Sequence, residues 1–353
     1  MKARLALVLI AAAAFLVPTR PAWVEHGYSR TLYPRLQDAI TPFSNRVPFA
    51  LLDPLLAAAL VLFVVAIVRL VRAMRRGARL RALGRFLLGL ATAAAGIYLV
   101  FLLLWGLNYR RQPLGAKLDF REARVTPLAI LELAETSLTE VNALHDAAHA
   151  AGWPALEGMP DHLASAFSRA LDTVAPSRVA PGVPKWSVLM PFFARAGVEG
   201  VTDPFFLEVI VNREVLPFER PFTVAHEWAH LAGYADEAEA SFFGWLTCVQ
   251  GTAADRYSGW LYLYSQSVDS LPRDSRARLM SRLAPRPRRD LGAIAARLAR
   301  ISRPLSQASW RIYDEYLKGN RVAAGVRSYD AVVTLVAGTT FRPGWIPLLR
   351  AAP

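Results

Sequence analysis

The stretch Phe86 to Leu107, "FLLGLATAAAGIYLVFLLLWGL", carries no charged residue. Wound as a helix at about 1.5 Å per residue, it is longer than the roughly 30 Å hydrocarbon core of a bilayer. A chain containing it must place that helix in lipid or bury it on every side. Phe49 to Val68 is a second spanning candidate, with Asp53 and Pro54 at one end. A single acid there reads as an interfacial group rather than part of an ion path. Leu5 to Val17, "LALVLIAAAAFLV", follows Lys2 and Arg4 and precedes Pro18, so it reads as a signal peptide or a first anchor. Residues 18–48 are mixed aromatic and basic and read as a short external loop. The 54% hydrophobic content is thus concentrated in residues 1–107, which form the expected membrane region.

Charge gives this region a direction. Arg69, Arg72, Arg75, Arg76, Arg79, Arg81 and Arg85 fall between the two long apolar segments with no acid among them. An arginine-rich loop of this kind is retained in the cytoplasm, which would leave residues 108–353 as a domain outside the cytoplasmic membrane. Arg110, Arg111, Lys117, Arg121 and Arg124 weaken the asymmetry without reversing it. The net charge of +13 is accounted for in this way, and no basic–aromatic module argues for nucleic acid. Cys248 is the sole cysteine. No intramolecular disulfide can staple the outer domain, and this cysteine reads as a small buried residue in a helix.

The outer part reads as α+β and mostly helical, a set of helices around a small sheet. Thr126 and Pro127 supply an N-cap and a first helical position for a helix that Gly152 closes. A second helix is expected near Asp161 to Val174. Lys185 to Asn212 is β-branched and aromatic with glycine and proline punctuation, the pattern of two or three short strands. Helices return at Pro221 and continue to about Leu335, including a basic pair from Ser275 to Arg303 with a solvated or membrane-facing side.

Within that helical half lies "PFTVAHEWAHLAGYADEAEASFFGWL". His226 and His230 are four apart, so they project from one face of a helix and can reach one ion. Glu227 is turned by about 100° from them, adjacent to the metal but not forced to bind it. Two imidazoles, an open position and a neighbouring carboxylate are what metal-assisted hydrolysis requires. Gly233 can end this helix in the left-handed conformation. A second helix starting near Asp236 would return its first turn, with Glu237 and Glu239, toward the histidines. One of these acids would complete a His₂Glu site; Glu239 is the preferred ligand and Glu237 its competitor. Asp236 and Glu239 also match an acidic capping box. "HDAAH" at His145 to His149 repeats the histidine spacing, but a shorter acid follows the first histidine and no acid-bearing helix comes after it. That pair reads as a helix surface, and His26 and His162 as ordinary surface residues.

"HEWAH" followed by an acid on the next helix resembles the gluzincin branch of zinc metallopeptidases. "EASFFGWL" is similar to the third-ligand helix of several such families. With "WGLNYRRQPL", "EGVTDPFFLEVIVN" and "YDEYLKGNRVAAGVRSYDAVV", the chain resembles a bacterial membrane family catalogued as domain of unknown function 3810. The resemblance implies one Zn²⁺ held by His226, His230 and Glu239, with Glu227 as general base. It also implies that the strands including "FFLEVIVN" form a sheet edge along which an extended peptide lies. Ser241 stands where asparagine is frequent, and Leu231 where a polar residue often follows the second histidine. Tyr313, Tyr316 and Tyr329 are candidates for stabilising an oxyanion, none singled out.

The expected function is therefore a membrane-anchored zinc-dependent peptidase in which zinc-activated water attacks a peptide carbonyl. The bilayer and a peptide or protein substrate are its partners. The alternative is a non-catalytic, metal-stabilised envelope or regulatory module. A transport role resting on Asp53 is the weakest reading.

Overall fold

A computed structural model describes residues 1–77, 79–175, 178–320 and 331–350. Two of its helices, α4 (Leu52–Arg75) and α5 (Arg79–Leu104), are long and apolar enough to cross a membrane. The first segment forms α1 (Lys2–Leu16) and packs along α5, with Phe15 edge-on to Tyr98 at 6.0 Å. The arginine-rich segment differs from the expected loop. Most of it extends α4 to Arg75 and starts α5 at Arg79, because arginine is a good helix former and its charge can leave lipid while its backbone stays helical.

Residues 18–48 also depart from expectation. Instead of an external loop they form a turn of helix α2 (Pro21–Val24), a π-helical stretch over Glu25–Leu32, and α3 (Tyr33–Asn45). The reason is a polar stripe that is buried. The hydroxyls of Tyr33, Thr41 and Ser44 donate to the carbonyls of Leu231, Leu207 and Phe206. Gln37 both donates to the Ala180 carbonyl and accepts from the Ala180 amide. These four residues recur every three or four positions, so one helical face is built of groups that satisfy another segment's backbone.

Helix α6 (Pro127–Ala151) opens with Thr126 Oγ1 accepting from the Ala129 amide at 3.1 Å and stops at Gly152, whose φ is +71°. Helix α7 (Met159–Asp172) follows. The expected strands are β1 (Pro184–Lys185), β2 (Gly200–Asp203) and β3 (Glu208–Val211), with the short helix α8 (Met190–Ala196) between the first two. Their order is β1-β3-β2, with β1 parallel and β2 antiparallel to β3. The strand of "FFLEVIVN" is therefore central and fully buried, not an edge as expected; β2 is the edge beside the histidine helix. Four apolar or paired residues in a row suit a strand covered on both faces.

The remaining helices are α9 (Arg220–Leu231), α10 (Glu237–Val249), α11 (Ala253–Asp269), α12 (Arg273–Arg282), α13 (Pro285–Leu298), α14 (Arg303–Gly319) and α15 (Ala331–Gly338). A hairpin of β4 (Phe341–Arg342) and β5 (Ile346–Pro347) closes the described chain. Trp228, Phe242, Phe243, Trp245, Tyr257, Trp260 and Tyr264 fill the centre, and Cys248 is buried among them. The basic pair has the expected solvated side, with Arg278, Arg282, Arg286, Arg288 and Arg289 exposed. Arg297 of α13 is buried and pairs with Glu199 and Glu219.

One cluster of buried side chains joins Val24, Tyr28, Tyr33, Phe101 and Trp105 to this centre, so the core crosses the division drawn after residue 107. A charged knot reinforces it. Glu25, itself buried, receives Arg111 at 3.0 Å and the Lys117 ammonium. Burial alone would raise the Glu25 pKa, but the two cations outweigh it and hold it below 4.5. A depressed folded pKa adds stability above the unfolded value, and that stability is lost as pH falls through the folded one. Glu25→Ala, which strands Arg111, is expected to cost about 3–5 kcal/mol. Denaturant unfolding of the detergent-solubilised chain measures this, and the variant should also lose the wild type's destabilisation below about pH 4.5.

Candidate metal centre

Helix α9 begins with Pro221 in its first turn and ends at Leu231. Its last carbonyls have no partner within the helix and are met from outside. Trp105 Nε1 donates to the His230 carbonyl at 2.9 Å, Tyr33 Oη to that of Leu231 at 2.8 Å, and Arg111 Nη1 to that of Gly233 at 2.8 Å. Gly233 takes φ +81°, the left-handed turn expected of it, and a Cβ there would lie 2.9 Å from Asn108 Oδ1. "WGLNYRRQPL" is thus the cradle on which the end of the histidine helix rests.

The turn hands the chain to α10. Asp236 caps it, accepting from the amides of Ala238 and Glu239. The capping-box return from Glu239 is not made. Its Oε1 accepts from the Leu114 amide instead, on the side facing Arg111 and Lys117, and burial beside Asp236 pushes its carboxyl up to about 7.

The residue brought to the histidines is Glu237. Its Oε2 lies 3.3 Å from His226 Nε2 and 3.5 Å from His230 Nε2. The structure therefore does not place the preferred Glu239 with the imidazoles; it places its competitor there. Helical geometry explains the exchange. Residues two apart point to nearly opposite faces, so only one of the two acids can face α9, and Asp236 as N-cap sets which. The expected base, Glu227, is buried on the same helix. Its Oε2 accepts from Thr202 Oγ1 at 2.8 Å, and Gly200 leaves the room, since a Cβ there would lie 2.5 Å from Glu227 Oε1.

The donor set fits a divalent ion. Tetrahedral bonds of 2.0–2.1 Å separate ligand atoms by about 3.3 Å, close to the distance from the carboxylate oxygen to each imidazole. Glu237 Oε2 is a buried carboxylate oxygen that, among the described residues, makes no regular hydrogen bond and faces the two imidazoles. His230 Nδ1 donates to the Tyr234 carbonyl at 2.8 Å, which leaves Nε2 for the carboxylate side. His226 Nδ1 meets Ser241 Oγ at 3.2 Å, and that hydroxyl accepts from Tyr262 Oη. Ser241, the departure from the commoner pattern, thus still orients a ring.

Electrostatics point the same way. Burial opposes charge on His230, but the adjacent Glu237 carboxylate prevails and pushes the ring up to about 9. Glu237 is held well below the usual carboxylate range, the two rings overcoming its burial. Burial raises Glu227, with the rings offsetting part of it. The three atoms need a proton or a cation between them.

Tyr313 donates to Glu237 Oε1, and Tyr316 stacks on it at 5.8 Å while meeting Tyr109 edge-on. Tyr329 lies outside the described residues. Trp105, Gly200 and Thr202 fall in the stretches that carry the resemblance, but the contacts they make, like those of Tyr33 and Tyr262, are with residues far along the chain. His162 is not a plain surface residue: Nε2 meets Asp255 Oδ1 at 2.8 Å. His26 is exposed, as expected.

These features define a mostly helical protein with two helices apolar enough to span a membrane and a buried cluster of two imidazoles and a carboxylate beside a three-stranded sheet. The chain belongs to the family described as "Protein of unknown function (DUF3810)", whose model matches residues 28–337. No curated protein and no solved structure matches it.

Proposed function

We propose that the chain is a membrane-anchored, zinc-dependent hydrolase of peptide bonds, with His226, His230 and Glu237 as metal ligands and Glu227 as general base. The observation that carries this reading is the convergence of one buried carboxylate oxygen and two Nε2 atoms, with a second carboxylate beside them. A purely structural ion would have no use for Glu227 in that position. When bound, zinc supplies Lewis acidity to a water and to the carbonyl under attack. Glu227, raised in pKa by burial, takes a proton from the attacking water and returns it to the departing amine. Thr202 fixes the Oε2 that does so.

Extended peptide is the substrate form we assign, added along the edge strand β2, whose Gly200 and Thr202 both border Glu227. The arginines flanking α4 and α5 support placing this site outside the cytoplasmic membrane.

The test uses the full chain in proteoliposomes against a quenched-fluorescent peptide library. Cleavage should vanish after chelation by 1,10-phenanthroline and return with one equivalent of Zn²⁺. Cleavage that survives complete metal removal sinks the proposal, as does a zinc-replete chain that cuts no member of the library.

A further inference from the structure

The second histidine pair lies only in part on a helix surface, His149 being exposed and His145 not. His145 is buried, and the "HDAAH" turn of α6 packs against α13, where Asp290 waits. Asp290 Oδ2 lies 2.8 Å from His149 Nε2 and 3.5 Å from His145 Nε2. These separations bracket the spacing of ligand atoms around a tetrahedral ion, about 3.3 Å. The imidazoles are stacked, with centroids 4.2 Å apart, so both Nε2 atoms present toward the one oxygen.

The surroundings complete the pattern. His145 Nδ1 meets Asp146 Oδ1 at 2.8 Å, and Asp146 is held in turn by Arg286 at 2.6 Å. A carboxylate on Nδ1 keeps the proton there and leaves Nε2 as a lone pair facing Asp290, the arrangement that orients metal-binding histidines. Tyr257 Oη donates to the same Asp290 oxygen. A cavity of about 520 Å³, lined by Asn142, His145, Asp146, Pro285, Arg286 and Arg289, opens beside the cluster and gives an ion a route from solvent. That cavity is not at the His226 centre.

We propose that His145, His149 and Asp290 form a second site for a divalent cation of the zinc class, clasping α6 to α13. Two imidazoles and one carboxylate select borderline metals over magnesium or calcium. The site is structural. Asp146, which occupies the position Glu227 holds in the other motif, is engaged by His145 and Arg286 and has no oxygen free to act as a base.

The experiment is metal counting on the full chain in detergent, stripped by chelator, reloaded with Zn²⁺ and desalted. Wild type should retain two equivalents. His226→Ala should retain one, His149→Gln one, and the double variant none. Zn²⁺ should raise the Tm of His226→Ala and leave that of the double variant unmoved. His149 is exposed, so His149→Gln folds without the ion, and circular dichroism of the apo form verifies this. A wild-type chain whose single retained equivalent is lost in His226→Ala and kept in His149→Gln overturns the proposal. So does a second equivalent that persists in both His149→Gln and Asp290→Asn.

Discussion

Glu227→Gln should bind zinc as the wild type does and hydrolyse peptide at least about 100-fold more slowly. The side chain keeps its volume and its Oε1 beside Gly200, so the buried site has no reason to collapse. An amide cannot accept the water's proton, and losing a general base costs about 10²–10⁴ in rate. The loss should fall on kcat, because the proton transfer that is removed belongs to the chemical step. Metal content and kcat/KM are measured on the same preparation. A variant with full metal and full activity would show that some other group moves the proton.

The second large effect separates two neighbouring acids. Glu237→Ala is expected to weaken zinc binding by well over about 100-fold, beyond the 10–100-fold that changes around a ligand cost. It removes the oxygen that faces both Nε2 atoms. Glu239→Gln should keep its zinc, since a glutamine can still accept from the Leu114 amide at the place where Glu239 Oε1 does. Competition with a chromophoric chelator reads both constants. Zinc lost from Glu239→Gln and kept by Glu237→Ala would reverse the ligand assignment in favour of the acid the sequence favours.

That reversal shows where sequence reasoning stops. His226, Glu227 and His230 are legible because a helix fixes their relation within four residues. The choice between Glu237 and Glu239 rests on how α10 is rotated against α9, and that depends on the Asp236 cap together with the distant Leu114 amide. Helix α6 follows from its cap at Thr126, and α9 and α10 from Pro221 and Asp236; beyond them the chain is helical, as expected, without each helix being legible. Helix α3 was illegible because its buried face is Tyr33, Gln37, Thr41 and Ser44. Hydrophobic periodicity cannot report a face buried through hydrogen bonds to carbonyls. The surroundings of "HDAAH" are illegible for a related reason: Asp290, which meets both rings, comes from a helix rich in arginine.

The carbonyls at the end of α9 are held by Trp105, the residue that follows the last apolar helix, and by Tyr33 and Arg111. Severing the polypeptide after residue 107 would therefore not liberate a working soluble half. It would strip the ends of the histidine-bearing segment of two of their three anchors and leave Arg111 buried without Glu25. Residues 1–107 brace the end of the histidine helix, and the molecule has to be handled whole.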